Sequence, residues 1–561
     1  MLFKPSSPAR GIRAAFAAAL LLCVSGIAAA AGPKLTLGDL VRAGKRESVL
    51  AAITSPDVNV NEKAPDGSTA LMWATFNADR ELVDALLKAG AVANVTNSYG
   101  ASALSEAIKL VDIDLVRTLL DAGADVNSPN LDNQTALMLA ISMGSTPIAK
   151  LLIERGADVA AIERFRDQDA LMWAAGTNQP DIVDLLLAHG AKKNVNLHAK
   201  ADDWARQQTS EPRAQYSSRQ TGGLTALLYA TRSGCLRCAQ ALVAAGADVN
   251  RPNPDGITPL LNALDNKRFD VAMFLLDKGA NPHVWDMNGR TPIYTAIDMH
   301  SFRGNDGFSR GAGRNGFPAA EGEADKPVVS QTTAMDVVQR LLGMGVDVNH
   351  QLTRKRPYGV GRGRFQDYDM RGGVGPLFVA TLSLDAEAMQ VLLQHGAEVD
   401  LKNVMQMTPL MIASGMRGTG RPGATVAEGD PQTAMIKSID LLLDAGADIN
   451  ARVTNSRTHT AKIMAYVQGR DQEGRTALFA AAESGSDKVV KHLLERGADP
   501  TIRDATGMTA LDAARARPPT GPGAGRNAEA SAAALAAVFA LLEPVTPPSP
   551  NKSPAQPQAA P

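Results

Sequence analysis

Residues 255–282 read DGITPLLNALDNKRFDVAMFLLDKGANP, and residues 132–159 read DNQTALMLAISMGSTPIAKLLIERGADV. The two stretches share a plan. Thr258 and Thr135 each open an apolar run as capping residues whose hydroxyl accepts a free backbone amide. Pro259 takes the first helical position, where a missing N–H does no harm. A second run follows and stops at Gly279 or Gly156. An earlier copy shows the period: Val83, Leu86 and Leu87 fall at helical spacing, and Gly90 supplies the left-handed residue that ends the helix. Each copy is therefore a helix, a turn and a second helix, with one apolar face to hide.

The plan repeats along the chain. Gly-Ala, often followed by Asp, recurs at Gly90, Gly123, Gly156, Gly190, Gly246, Gly279, Gly396, Gly446 and Gly497, with Gly345-Val346 as a variant; the first three intervals are 33, 33 and 34 residues. A second marker, Thr-Ala-Leu or Thr-Pro-Leu/Ile, starts at Thr69, Thr135, Thr225, Thr258, Thr291, Thr408, Thr476 and Thr509, with looser copies at Ser102, Asp169 and Gly375. A fixed period of this size means a stacked solenoid, in which each helix pair buries its face on its neighbours.

These motifs resemble the ankyrin-repeat family, and the resemblance runs from about residue 35 to residue 543, with a weak opening copy at Leu37–Val60 as a cap. It implies an all-α solenoid of helix-turn-helix units with projecting finger loops. Repeats are numbered here from Thr69. One departure is systematic. The family's His after Thr-Pro-Leu is replaced by Met72, Ser105, Met138, Met172, Leu228, Leu261, Tyr294, Phe378, Met411, Phe479 and Asp512. Where that imidazole would bridge repeats, mostly apolar packing is expected. Trp73 and Trp173, in the twin phrase ALMWA, read as core.

Composition agrees with a regular architecture built on small side chains. The chain has 561 residues, is 45% hydrophobic but only 4% aromatic, and carries a formal net charge of -1. Several conventional cores would need more aromatic bulk. A near-neutral chain is also a poor candidate for coating nucleic acid or a membrane surface. At the N-terminus, Arg10 and Arg13 precede an uncharged run from Ala14 to Ile27, followed by Ala28–Ala31. This reads as a signal peptide over residues 1–31, cleaved near Ala30/Ala31, and places the mature chain in the periplasm or medium of a bacterium. The run is short for a membrane span, and no other stretch approaches the required length.

Excess spacing between markers locates insertions. Repeats are expected over 35–197 (with the N-terminal cap), 222–349 and 374–543, separated by an insertion at 198–221 and a basic loop at 350–373. Further insertions are expected near 301–331, 416–432, 455–470 and 517–526, and a Pro/Ala-rich tail over 544–561. Long loops of this kind are either functional or disordered. In the basic loop, Arg354, Lys355, Arg356, Arg362 and Arg364 alternate with Tyr358 and Phe365, a composition that suits anion binding or a solvated surface.

Cys235 and Cys238 open a second helix with redox-motif spacing. Haem attachment would need His where Ala239 stands, and zinc would need two further ligands that the sequence does not supply as a second pair. A local disulfide, or two small core residues, remains the plain reading; catalytic thiol chemistry is the competing one. Other catalytic patterns are lacking: there is no Gly-x-Ser-x-Gly elbow and no phosphate loop, and Asp125, Asp158, Asp248 and Asp448 sit at turn positions. No cofactor or metal is expected.

The expected function is thus a non-enzymatic scaffold in the bacterial envelope or secreted. The alternatives are a thiol redox or redox-sensing protein using Cys235 and Cys238, or an anion or glycan binder using residues 353–373. In the family, finger tips and first-helix faces grip a partner protein. Carried over repeat by repeat, those positions are Ser68, Phe76, Asn77, Tyr99, Lys109, Leu110, Leu131, Met143, Phe165, Arg166, Thr177, Arg232, Arg290 and Asp298. The partner is expected to be another protein, not nucleic acid; its identity and the oligomeric state are not encoded legibly.

Overall fold

The computed structural model describes residues 36–201, 222–301, 331–353, 372–416, 430–454, 472–516 and 528–547. The proposed signal peptide, the basic-loop residues Arg354, Lys355, Arg356, Arg362 and Arg364, most of each insertion and the end of the tail lie outside them. The described residues form an all-α repeat solenoid. The chain divides into two compact blocks, Met1–Leu110 with Thr118–Ala124, and Val111–Arg117 with Asp125–Pro561.

Thr hydroxyls start the first helices as the sequence predicts. Thr69, Thr135, Thr225, Thr258, Thr291, Thr408 and Thr509 each accept from the amide three residues on, and Ser102 and Asp169 do the same. Gly375 has no side chain to do so, and Thr476 makes no such bond. Left-handed Gly90, at φ +94°, follows the second helix Arg80–Lys88.

In the first block, Leu37–Arg42 and Arg46–Ala52 form a helix pair, and Leu37–Arg42 packs on Ala70–Phe76, which packs on Ala103–Lys109. In the second block the first helices stack in chain order: Ala136–Ser142, Ala170–Gly176, Ala226–Ser233, Pro259–Asp265, Pro292–Ser301, Pro376–Leu382, Pro409–Ala413, Ala477–Ser484 and Ala510–Arg515. The helices on either side of an insertion within a repeat pack on each other, and across an insertion between repeats the successive first helices do so. The core is Ala, Leu, Ile, Val and Met: Leu137, Met138, Ile141, Ile148 and Leu152 of one repeat are all fully buried. Each such large side chain contributes about 1.5–3 kcal/mol by burial, realised only when a neighbour covers it.

Nine of the residues that replace the family's His, from Met72 through Phe479, are buried. The other two act locally: Ser105 and Asp512 accept back from the amides of Ser102 and Thr509, closing capping boxes. A second device joining the repeats was not read from the sequence. Asn61 donates to the Gly90 carbonyl at 3.0 Å and accepts from the Val92 amide at 2.7 Å, one finger to the next. Asn127, Asn196, Asn250 and Asn349 repeat both bonds, on Gly156/Asp158, Gly246/Asp248, Gly279/Asn281 and Gly396/Glu398.

Candidate partner-binding surface

Among the described residues, several fingers are tight hairpins held by one side chain at the base. Asn97 accepts from the amides of Tyr99 and Ala101, Asn130 from those of Asp132 and Gln134, and Asp286 from those of Asn288 and Arg290. In the fourth repeat the longer Glu163 takes three amides, those of Phe165, Arg166 and Gln168, because that finger has one extra residue. A hairpin pinned in this way presents its tip without loss of order. The tips carry Tyr99, Leu131 and Phe165, which are 72%, 67% and 69% exposed.

The first helices add a second line of exposed groups. In the first block, Phe76 is exposed and meets Trp73 edge-on at 5.8 Å, while Arg42 lies 5.3 Å from the Trp73 ring. Trp73 and Trp173 are half-buried rather than core, which corrects the expectation for both. Asn77 caps the Phe76 helix; Leu110 is exposed, as is Lys109, which pairs with Glu106 at 2.8 Å. In the second block Met143 and Arg166 are exposed, and Thr177 and Arg232 are half-buried.

Three of the expected surface residues are instead structural. Ser68 is buried, its hydroxyl on the Asp66 carboxylate at 2.9 Å. Arg290 is buried between Asp286 and Asp265, at 2.7 Å from each. Asp298 is buried on the neighbouring helix, near enough to Asp265 to help raise the Asp265 carboxyl above its ordinary value, an effect chiefly of burial. A charged side chain in a finger satisfies a neighbouring repeat as readily as it meets a partner, and the sequence of one repeat does not show which.

Cys235 and Cys238 are joined by a disulfide, with Cα atoms 5.2 Å apart, and both are buried at the start of helix Leu236–Ala244. Cys235 Sγ accepts from the Cys238 amide, taking the place of a side-chain cap. The turn aspartates Asp158, Asp248 and Asp448 each accept the amide two residues on, as their positions suggest. Among the described residues no cluster of three or more His, Cys, Asp or Glu is arranged to hold a metal, and no helix is long and apolar enough to cross a membrane.

The family model described as ankyrin repeats (3 copies) matches residues 37–130, 112–196, 227–304 and 434–514, more than half of the sequence. The chain belongs to the ankyrin-repeat family. A stretch of 117 residues, 21% of this ankyrin-repeat chain, is 32% identical to the Neurogenic locus Notch protein of Drosophila melanogaster, of which it covers 4%. The likeness therefore concerns a small part of that protein. Ankyrin repeats are protein–protein interaction modules and are generally not enzymes, and the pinned, solvent-facing finger tips suit that use.

Proposed function

We propose that this ankyrin-repeat protein is an exported, non-enzymatic scaffold of the bacterial envelope or medium that grips a protein partner with its finger tips and first-helix faces. The observation that carries this reading is the set of large apolar side chains held on ordered hairpins. Tyr99, Leu131 and Phe165 each stand more than half exposed on a finger pinned by hydrogen bonds from its own backbone amides. Aromatic anchors on a preorganised surface are the residues that dominate binding energy at protein interfaces. Of the fourteen positions carried over from the family, eleven are exposed or half-buried, and the buried Ser68, Arg290 and Asp298 are left out of the proposal.

Export is supported by the segment from Arg10 to Ala31 and by the Cys235–Cys238 disulfide, since disulfides persist in oxidising compartments. Photo-crosslinking groups placed at Tyr99 and Phe165 in the producing cell should trap an envelope protein. The same group at Lys150, exposed on a second helix, should not. N-terminal sequencing of the fractionated protein should find a start near Ala31. A cytosolic form beginning at Met1, or equal trapping at all three positions, would defeat the proposal.

A further inference from the structure

The two buried arginines among the described residues have carboxylates beside them. Arg290 has Asp265 and Asp286, and Arg475 has Glu483 at 2.8 Å and Asp504 at 3.2 Å. Among the half-buried arginines, Arg268 has none among the described residues, and neither has Arg232. It is half-buried at the end of helix Ala226–Ser233, and among the described residues no carboxylate pairs with it. Its guanidinium lies over the Tyr229 ring at 4.8 Å, a contact that uses a face of the group and none of its five N–H donors. Burial pulls Arg232 below its ordinary pKa; the Tyr229 side chain opposes that, and the charge of Arg166 adds to it. Desolvating a cation without an anion is unfavourable, and a second cation nearby makes it more so.

The platform under Arg232 is built rather than incidental. Tyr229 is buried, and its hydroxyl is hydrogen-bonded by Gln168 Nε2 from the fourth finger. Gly176 makes room for the ring: a Cβ there would stand 3.3 Å from Tyr229 Cδ1. Ser233 Oγ donates to the Ala175 carbonyl at 2.8 Å, locking the helix carrying Arg232 onto its neighbour. At the finger side, Arg166 lies 5.6 Å from the exposed Phe165 ring. Arg232 and Arg166 thus adjoin an open aromatic face.

We propose that Arg232, with Arg166 beside it, is a receptor for an aspartate or glutamate side chain of the protein partner, whose neighbouring apolar residue rests on Phe165. This rests on the protein-binding function proposed above and specifies the chemistry that function recognises. The planar guanidinium edge matches a carboxylate with two parallel hydrogen bonds, and the incoming anion supplies a charge that no described residue gives Arg232.

A random peptide library displayed on phage and selected against the mature protein provides the probe; the best binder is then synthesised and its Kd measured by fluorescence anisotropy. Selected peptides should carry an acidic residue next to an apolar one. Arg232→Met should weaken binding about ten-fold to a hundred-fold, as expected for a lost charge-assisted pair. Replacing the peptide's Glu by Gln should cause a similar loss, and the two changes together little more. Arg117→Met, at an exposed arginine near Asp114, should change nothing. Unchanged melting temperatures show that the variants are folded. Peptides that lack acidic residues, or that ignore Arg232→Met while responding to Phe165→Ala, would overturn the acidic receptor and leave the scaffold standing. Competition by inorganic phosphate together with indifference to the Glu-to-Gln change would overturn it in favour of a phosphate site. No peptide bound at all would count against both.

Discussion

Asp169 shows how a single residue can hold a repeat's structural place at a thermodynamic cost. It replaces Thr as the cap of helix Ala170–Gly176, accepting the Met172 amide at 2.8 Å, and its carboxyl is pushed up to about 6, chiefly by burial. The native state therefore holds a proton that the unfolded chain, near the ordinary 3.8, has released. Stability from this group is full below the unfolded value and is lost as pH rises toward 6, after which it is flat. Asn caps a helix as well as Asp and does not ionise. Asp169→Asn should match the parent near pH 4 and be more stable at pH 7 by about 1–3 kcal/mol; melts across that range check it. The finger asparagines make the opposite prediction. Asn250→Ala removes two bonds that join adjacent fingers and should lower stability by about 1–3 kcal/mol, read from denaturant midpoints. The capping role of Thr135 and Thr258 was legible because donor and acceptor lie three residues apart. The role of Asn250 was not, since its partners lie 29 and 31 residues on, although the recurring Ala-Asp-Val-Asn phrase was in plain view.

Among elements, the turn between the paired helices stores backbone strain in several repeats, at Ala78, Val111, Asn178, Lys267 and Leu384. Val111 precedes helix Ile113–Asp121 with φ +55°, a left-handed conformation that a β-branched residue adopts at a penalty. Glycine would be free of it, less the entropy that glycine loses on folding. Val111→Gly should therefore stabilise the protein by about 0.5–1 kcal/mol, seen as a higher melting temperature. The fifth repeat solves the same turn with Gly234, at φ +81°, followed by the Cys235–Cys238 disulfide. So short a loop gains little from cross-linking. Replacing Cys235 by Ser and Cys238 by Ala should cost about 1–3 kcal/mol through lost burial and leave partner binding intact, as calorimetry and binding assays can show. Helix pairs and their caps were legible in the period. The burial of Arg290 and Asp298 was not, because Asp265, which adjoins both, belongs to the preceding repeat.

For the molecule as a whole, stacking does the work that a single large core does elsewhere. Helix Ala170–Gly176 packs on Ala226–Ser233 and Pro292–Ser301 on Pro376–Leu382, so long insertions in sequence leave neighbouring repeats in contact. Closing a longer loop costs only a logarithmic term, which is why a period of 33 or 34 residues can be interrupted and resumed. The same regularity explains what the sequence conveys about function. A repeat specifies its neighbour strongly, while a partner is specified only by the few side chains left over, such as Tyr99, Leu131 and Phe165. The most direct test is affinity capture from the envelope fraction with the purified mature protein and with its Tyr99→Ser, Leu131→Ser, Phe165→Ser variant, melting temperatures being compared in parallel. The scaffold account predicts a discrete protein retained by the parent and lost by an equally stable variant; retention of the same protein by both would contradict it.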